Sequence, residues 1–285
     1  MPIAFEKVSY TYAPGTPFAY AALKEVDLAI EMNRVTAIIG PTGSGKSTLV
    51  QHLNALLLPS SGQVLVLDRI ITHADKPKQL KSLRKNVGLV FQFPEYQLFE
   101  ETVLKDIMFG PLNFGVSEEE ARKKALETLI VVGMDAGIAE KSPLDLSGGQ
   151  KRRIAIAGIL AIDPKVLVLD EPTAGLDPQG SKSMMQLFMQ LNKQYEKTVL
   201  IVTHDMEHVL NYCDNVVVMR EGKCAVHQTV KDFFNDASLL NELHITPPHV
   251  LRFKEAMKVG GMELPEGISD IQTLAKAIAA ELKHE

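Results

Sequence analysis

Four short aliphatic runs stand out in the pattern of hydrophobic and polar positions along the chain. They span 35–39, 87–91, 166–169 and 199–202, and polar or glycine residues follow each of them. Their apolar character is continuous rather than alternating, which indicates strands buried on both faces, as in a parallel sheet flanked by helices. Ligands bind at the carboxyl ends of the strands in such sheets, so these polar residues are expected to meet at one site. For any one run, the polar residues could simply cap the end of a strand. Four such runs together favour a binding site.

Helical periodicity fills the chain between the second and third runs, over about 100–161. Ser117 and Glu120 have the spacing of a capping box, which predicts a helix over 121–132. We therefore expect a helical subdomain at about 95–162, inserted into a strand-rich core.

The composition changes toward the C-terminus. Thr246-Pro-Pro248 breaks the chain, and Ser269 is placed to cap a final helix. The apolar positions of this helix follow helical spacing and are Ile268, Ile271, Leu274, Ala275, Ile278 and Leu282. The pattern predicts a domain of 1–234 and a C-terminal helical extension of 235–285. The extension packs either on its own domain or on a second subunit, as a possible dimerisation element.

The amino-acid composition narrows the classes of protein to which this chain can belong. The 285 residues are 46% hydrophobic and 23% charged, as in an ordinary soluble globular protein, and the net charge of −5 does not suggest a nucleic-acid partner. Cys213 and Cys224 form no metal-like cluster and fit a reducing cytosol. The N-terminus lacks a signal-like segment. The longest apolar run, 154–162, is far below the ~18 residues that span a bilayer. Any membrane role is therefore expected to act through a partner.

Residues 40–47 read G-x-x-x-x-G-K-S, between the run 35–39 and a predicted helix over 48–53. In this context the glycines let successive backbone N–H groups face a phosphate at a helix N-terminus. The Lys46 amine can reach the β- and γ-phosphates, and the Ser47 hydroxyl can bind Mg²⁺. A glycine-rich turn without a ligand is the alternative. The loop predicts a nucleoside triphosphate site made by Gly40, Pro41, Thr42, Gly43, Ser44, Gly45, Lys46, Ser47 and Thr48.

The other strand ends supply further candidates. Asp170 is the expected second Mg²⁺ anchor, and Glu171 is the candidate base that polarises the attacking water. His204 is a candidate sensor of the γ-phosphate, and Gln92 follows the second run. The alternatives are a solvated turn at 170–172 and an ordinary surface histidine.

A second helix N-terminus is expected at Ser147, which precedes two glycines and a predicted helix over 151–160. Such an end offers a second phosphate site through Ser147, Gly148, Gly149 and Gln150. The basic triplet 151–153 in its first turn has the wrong sign for the helix dipole. A nearby anion would offset it, and solvated cations are the alternative.

Five motifs follow one another along the chain: the phosphate loop, Gln92, Leu146-Ser-Gly-Gly-Gln150, Asp170-Glu171 and His204. In this order they resemble the motifs of the ATP-binding cassette ATPases, and the resemblance covers about residues 3–234. The resemblance implies an α/β fold with a P-loop (RecA-like) core, a mostly parallel sheet and ATP hydrolysis. It implies catalysis by Lys46, Glu171 and His204. It also implies a Mg²⁺ site made by Ser47, Gln92 and Asp170.

The same resemblance implies further contacts. Tyr12 matches the aromatic residue that stacks on adenine, and Tyr10 is the second candidate for this role. Packing of the ring in the core is the alternative. Residues 174–177 match the loop that crosses to a partner cassette. In this family the signature of one cassette, here 146–150, closes over the ATP of another, so a working unit contains two cassettes.

A narrower resemblance rests on Phe93-Pro-Glu-Tyr-Gln-Leu-Phe99, on Gly15-Thr-Pro-Phe18 after Tyr12, and on the extension. These features are similar to the ATPase subunits of energy-coupling factor transporters, of the second ATPase type. They imply a peripheral protein at the cytoplasmic side of the cell membrane that powers import of vitamins or metal ions. The implied partners are a second cassette ATPase in a heterodimer, a transmembrane coupling subunit and a substrate-capture membrane protein. An importer cassette for amino acids or metal chelates is the alternative.

The segment after Gln92 also carries large apolar side chains, at Phe93, Tyr96, Leu98 and Phe99. If they are exposed, they predict a docking surface for a helix of the transmembrane subunit. Burial within the cassette is the alternative.

Overall fold

The computed structural model describes residues 3–76, 80–260, 262, 264, 265, 268 and 271–281. The strands in these ranges are β1 (Ile3–Tyr12), β2 (Tyr20–Ile30), β3 (Val35–Ile39), β4 (Ser61–Val66), β5 (Arg69–Ile71), β6 (Val87–Val90), β7 (Val166–Asp170), β8 (Thr198–Val202), β9 (Asn215–Arg220) and β10 (Lys223–Thr229). The α-helices are α1 (Lys46–Gln51), α2 (Lys81–Asn86), α3 (Val103–Asn113), α4 (Glu118–Val131), α5 (Gly148–Leu160), α6 (Pro178–Tyr195), α7 (Met206–Tyr212), α8 (Val230–Asn235), α9 (Ala237–Glu242), α10 (His249–Val259) and α11 (Ile271–Glu281).

The four aliphatic runs form adjacent parallel strands of one six-stranded sheet, ordered β10-β9-β3-β8-β7-β6. Only β10 runs antiparallel to its neighbour, β9. Every residue of β3, β6 and β8 is buried, because helices cover one face and a second sheet covers the other. The prediction of a mostly parallel sheet is confirmed, and the carboxyl ends of four strands lie along one edge.

The second sheet is antiparallel, in the order β2-β1-β4-β5. Its apolar face packs toward the central sheet, so that Phe5 and Val64 share one core with Ile38. Leu49 of helix α1 and Leu53, two residues after its end, belong to this core. The first helix is therefore held between the two sheets, which fixes the loop that precedes it.

Helices α3, α4 and α5 share a core with the other face of the central sheet, through residues such as Ile107, Leu129 and Ile154. The Ser117 hydroxyl accepts a hydrogen bond from the Glu120 backbone N–H. Because this cap acts on the first turn, α4 begins at Glu118, three residues before the predicted start. A short 3₁₀ turn, Pro94–Gln97, lies between β6 and these helices and next to α5.

The C-terminal helices pack on the cassette through a small separate core. Val250, Ile268 and Leu274 are buried there, and Leu210 of α7 packs against them. This contact supports packing of the extension on its own domain. Ser269, the predicted cap of the last helix, and Leu282, its last predicted apolar position, lie outside the described residues.

Candidate nucleotide site

The phosphate loop joins β3 to α1 and takes its shape from three glycines. Gly40, Gly43 and Gly45 have φ angles of 142°, 78° and 101°, which side chains of L-residues rarely tolerate. A Cβ atom at Gly40 would also collide with the Met219 carbonyl oxygen, and one at Gly45 would lie 2.6 Å from the Ala22 carbonyl oxygen. Backbone atoms of two neighbouring strands therefore lie directly against the loop, which curves just before the N-terminus of α1.

The Lys46 ammonium is bound to carbonyls of its own loop. Its Nζ donates to the Gly40 oxygen at 2.8 Å and to the Pro41 oxygen at 2.9 Å. Burial lowers the pKa of Lys46, while the charges of Glu171 and Asp170 act in the opposite direction. The amine is thus held across the mouth of the loop, where phosphate oxygens could take the place of the carbonyls.

A cavity of about 390 Å³ lies in front of this loop, at the carboxyl edge of the central sheet. It brings together the phosphate loop and the residues that follow β6, β7 and β8, as the strand pattern predicted. The side chains and backbone that line it belong to Tyr20, Ala22, Thr42, Gly43, Gly45, Lys46, Ser47, Thr48, Gln92, Asp170, Glu171, Val202 and His204.

Three oxygen-bearing side chains in this cavity fit a magnesium ion. The Ser47 side chain is hydrogen-bonded to the Asp170 carboxylate. Burial raises the pKa of Asp170, whereas this hydrogen bond and the Lys46 charge oppose the rise. Gln92 adds an amide to the same cavity. Within the described ranges, His, Cys and carboxylate side chains form no metal-like cluster of three. A hydroxyl, a carboxylate and an amide suit Mg²⁺ that shares its shell with water and phosphate.

Glu171 and His204 form a pair at the open side of the cavity. The His204 Nδ1 atom lies 2.9 Å from Glu171 Oε1, with the histidine side chain 80% exposed and the glutamate 17% exposed. Glu171 adopts a left-handed φ of 49°, and its N–H donates to the Val202 carbonyl oxygen. This strained position directly after β7 aims a carboxylate at the space in front of the phosphate loop.

Tyr20 lines the cavity and was missed by the sequence analysis. Its hydroxyl donates to the Gly43 carbonyl oxygen at 2.9 Å. Tyr12, the predicted adenine contact, is paired with Tyr20 across the β1–β2 hairpin, and its hydroxyl lies 3.1 Å from Thr48 Oγ1. The hairpin register was the signal that could have revealed Tyr20, since it places the two rings at the same end of the strands.

The signature residues lie outside this cavity. The Ser147 hydroxyl accepts from the Gln150 N–H, and the Gln150 side chain accepts from the Ser147 N–H, which makes a complete capping box. No atom lies within 4 Å of a Cβ built at Gly148 or Gly149, so space is open in front of both. This helix end is therefore exposed at the surface and lies outside the cavity in front of the chain's own phosphate loop.

Two of the three basic residues after the signature have partners within the chain. Arg152 is buried and makes a bidentate ion pair with Glu95, while Arg153 donates to the Val132 carbonyl and to Ser183. The anion that offsets the helix dipole is thus a carboxylate of the turn Pro94–Gln97. The sequence analysis missed Glu95, because 57 residues separate it from Arg152.

The segment after Gln92 exposes most of its apolar side chains. Tyr96 is 85% exposed and Phe99 is 64% exposed, whereas Leu98 packs partly against the helical core. The Phe109 ring of α3 meets the Phe99 ring edge-on at 4.8 Å. We call Tyr96, Phe99 and Phe109 the aromatic patch. None of the helices in the described part of the chain combines the length and apolar character that crossing a bilayer requires.

Comparisons with known proteins show the family of the chain. The family described as "ABC transporter" matches residues 23–174. The chain is 50% identical to the "Energy-coupling factor transporter ATP-binding protein EcfA2" of Geobacillus kaustophilus (strain HTA426), over 98% of this chain and 96% of that protein. It is 51% identical to the protein of the same name from Lactiplantibacillus plantarum, over 99% of this chain and 96% of the relative.

Two solved structures share the fold. One is cbiO1 from Clostridium perfringens, described as part of the ABC transporter complex cbiONQ. It has a TM-score of 0.74 and 40% identity, over 89% of this chain and 98% of that one. The other is the cassette MJ0796, in a dimeric post-hydrolysis state bound to ADP and Pi. It has a TM-score of 0.71 and 33% identity, over 80% and 98% of the two chains.

Proposed function

The chain belongs to the ATP-binding cassette family, as an ATP-hydrolysing subunit of the energy-coupling factor type, and from this premise we propose that it powers import of a small micronutrient of the vitamin or metal-ion class. The observation that carries the proposal is the convergence of four strand ends on one cavity in front of the phosphate loop. The 50% identity to energy-coupling factor relatives covers nearly the whole chain, including the C-terminal extension. It therefore favours this type over an importer cassette for amino acids or metal chelates.

In the proposed hydrolytic site the phosphate loop and Lys46 bind the triphosphate, with Lys46 exchanging its carbonyl partners for β- and γ-phosphate oxygens. Glu171 positions the attacking water and accepts its proton, and His204 donates a hydrogen bond to the γ-phosphate. Ser47, Gln92 and Asp170 would hold Mg²⁺, which supplies charge neutralisation to the phosphate oxygens when bound. The 2.9 Å contact between His204 and Glu171 supports a joint role at the reacting phosphate.

The proposed working unit contains a second cassette ATPase. The exposed N-terminus of α5 has open space in front of it and is formed by Ser147, Gly148, Gly149 and Gln150. Such a helix end suits a phosphate supplied by another subunit. The dimeric form of the related MJ0796 cassette supports two cassettes as the unit. We propose a heterodimer, because the resemblance is to the second of two ATPase types.

The aromatic patch supports contact with a membrane partner. Exposed aromatic clusters of this kind mark interaction sites, and an amphipathic helix is one partner that apolar surfaces recognise. We propose that a transmembrane coupling subunit docks here and that a substrate-capture protein completes the complex. The chain would then be peripheral, at the cytoplasmic side of the cell membrane.

Co-expression tests this proposal. The chain would be produced with candidate ATPase, coupling and substrate-capture subunits, purified in detergent, weighed by native mass spectrometry and reconstituted into vesicles. We expect a complex with one copy of this chain and one different cassette, and ATP-dependent uptake of a vitamin or metal ion. A transport-competent complex with two copies of this chain would overturn the heterodimer, and uptake only of amino acids or metal chelates would overturn the substrate class.

A further inference from the structure

One buried side chain joins the three segments on which the proposed function depends. Arg152, in α5, is 2% exposed. Its Nε and Nη2 atoms donate to the two carboxylate oxygens of Glu95, at 2.9 and 2.7 Å. Its Nη1 atom donates to the Ala174 carbonyl oxygen at 2.7 Å and to that of Pro172 at 3.3 Å. A single guanidinium therefore spans the signature helix, the segment with the aromatic patch and the loop after Glu171.

The planar guanidinium suits this arrangement. It presents its donors in a fixed fork, so two edges can bind two groups at set angles, which a lysine cannot reproduce. The Phe93 ring lies against it, 5.7 Å from centroid to Cζ. Phe93 immediately precedes the turn Pro94–Gln97, and Glu95 and Tyr96 both belong to that turn. The geometry thus ties the backbone direction of this turn to the position of α5.

The cost of burial argues against net stability as the only role of the pair. Removing two charges from water is expensive, and a buried ion pair often stabilises no more than apolar residues of equal size. Burial alone raises the pKa of Glu95, but the hydrogen bonds and charge of Arg152 outweigh it and hold the pKa below its usual value. Glu95 is therefore ionised at neutral pH. The main effect of the pair is to fix the position of the turn Pro94–Gln97 relative to α5.

We propose that Arg152 and Glu95 form a positioning pair that transmits closure of the nucleotide site to the aromatic patch. The inference rests on the proposed function, since it assumes that a membrane partner docks at the patch. When a second cassette engages the signature, α5 and residues 172–174 move together, and the guanidinium draws Glu95 and the attached turn with them. Packed elements shift as rigid bodies rather than deform continuously, so the patch changes orientation with the helix.

Two conservative substitutions and one matched control test this pair. Arg152→Lys keeps the charge but loses the fork, and Glu95→Gln keeps the shape but loses the charge. Glu140→Gln removes an exposed Arg–Glu contact of the helical subdomain, Arg122 with Glu140, at 3.5 Å. In the reconstituted complex we expect transport per ATP hydrolysed to fall about fivefold or more in Arg152→Lys and Glu95→Gln, the lower end of typical coupling. The control should match wild type.

Other readouts separate positioning from a merely structural role. ATP affinity of the isolated subunit should stay close to wild type in both variants, and the complex should still assemble. The melting temperature should fall in both, because a buried charge or fork loses its matched partner. An unchanged ratio of transport to hydrolysis in Arg152→Lys would overturn the proposal. Loss of folding or of assembly in both variants would also overturn it. Because Arg152 is buried, an effect confined to Glu95→Gln would instead indicate direct contact of Glu95 with the partner, and would refute the pair.

A measurement on the cassette dimer without the membrane subunits keeps this inference distinct from the proposed function. In a Glu171→Gln background, ATP should change backbone hydrogen exchange in both 93–99 and 148–160. With Arg152→Lys added, the response of 93–99 should fall while that of the phosphate loop remains. An undiminished response of 93–99 would contradict the pair even if no transported substrate were found. Failure of wild-type transport with this response intact would count against the proposed function only.

Discussion

At the scale of single residues, the phosphate loop is held ready by contacts that the nucleotide would replace or keep. Lys46 is bound to two loop carbonyls that a phosphate would displace. The Tyr20 hydroxyl is bound to Gly43, whose carbonyl can keep this contact when ATP enters. Tyr20 therefore acts to preorganise the loop, which lowers the ordering cost of binding.

Tyr20→Phe tests this role. Loss of one hydrogen bond of ordinary strength should weaken ATP binding by roughly threefold to tenfold, because the loop must be ordered on binding. Isothermal titration of the isolated subunit measures the change. Tyr195→Phe, which removes another partly exposed tyrosine hydroxyl far from the cavity, is the matched control. Equal affinity of Tyr20→Phe and wild type would remove Tyr20 from the site.

His52 makes stability depend on pH. It is fully buried beside Tyr10, its Nδ1 donates to the Thr48 carbonyl, and burial lowers its pKa to about 4. The folded pKa lies below the unfolded one, so the unfolded chain alone takes up this proton as the pH falls through about 6.5. Stability is thus present at neutral pH and is lost toward about pH 4.

We expect the free energy of unfolding to fall by roughly 2 kcal/mol on account of His52 between about pH 7.5 and pH 5. Urea titrations at both pH values measure it. His52→Gln should remove this part of the pH dependence, whereas His73→Gln, at an exposed position, should not. The same pH dependence in His52→Gln and wild type would show that other groups cause it.

At the scale of elements, the parallel strands were predictable because burial on both faces leaves continuous aliphatic runs in the sequence. The helix caps at Ser117 and Ser147 were predictable because capping depends on neighbours three residues away. Glu95 was not, because its contact with Arg152 joins segments 57 residues apart, and Tyr20 is revealed only when its hairpin register with Tyr12 is known. An isolated polar residue has no neighbour in the sequence that would indicate a contact with a distant segment.

The aromatic patch should contribute to binding of the membrane partner without contributing to ATP binding by the isolated subunit. Tyr96→Lys places a charge on an exposed side chain, so ATP binding and melting temperature of the isolated subunit should stay near wild type while complex assembly or transport falls. Leu98→Lys should also lower the melting temperature, because Leu98 packs partly in the helical core.

Ile130→Lys changes an exposed apolar residue of α4 outside the patch and serves as the control. Co-purification from detergent-solubilised membranes and thermal unfolding give the two readouts. If Tyr96→Lys loses nucleotide binding and thermal stability together, the residue belongs to the core and the docking surface is wrong.

At the scale of the whole molecule, the two helix ends that suit phosphate binding lie in different places. One edge of the central sheet gathers the phosphate loop and Glu171, whereas the signature helix begins outside this cavity. The residues give both motifs the same helix-end chemistry, and only the family resemblance implied that they act in different sites. Their separation in the structure supports the proposal that a second cassette supplies the other half of the site.

The most direct test of this account is steady-state ATP hydrolysis by the assembled complex carrying Glu171→Gln, with ATP affinity measured on the same sample. Removing the base while leaving every phosphate ligand should slow the chemical step about a hundredfold or more and retain binding. Lys46→Ala, the companion variant, should instead weaken binding itself. Hydrolysis by Glu171→Gln at a rate comparable to wild type would contradict the account.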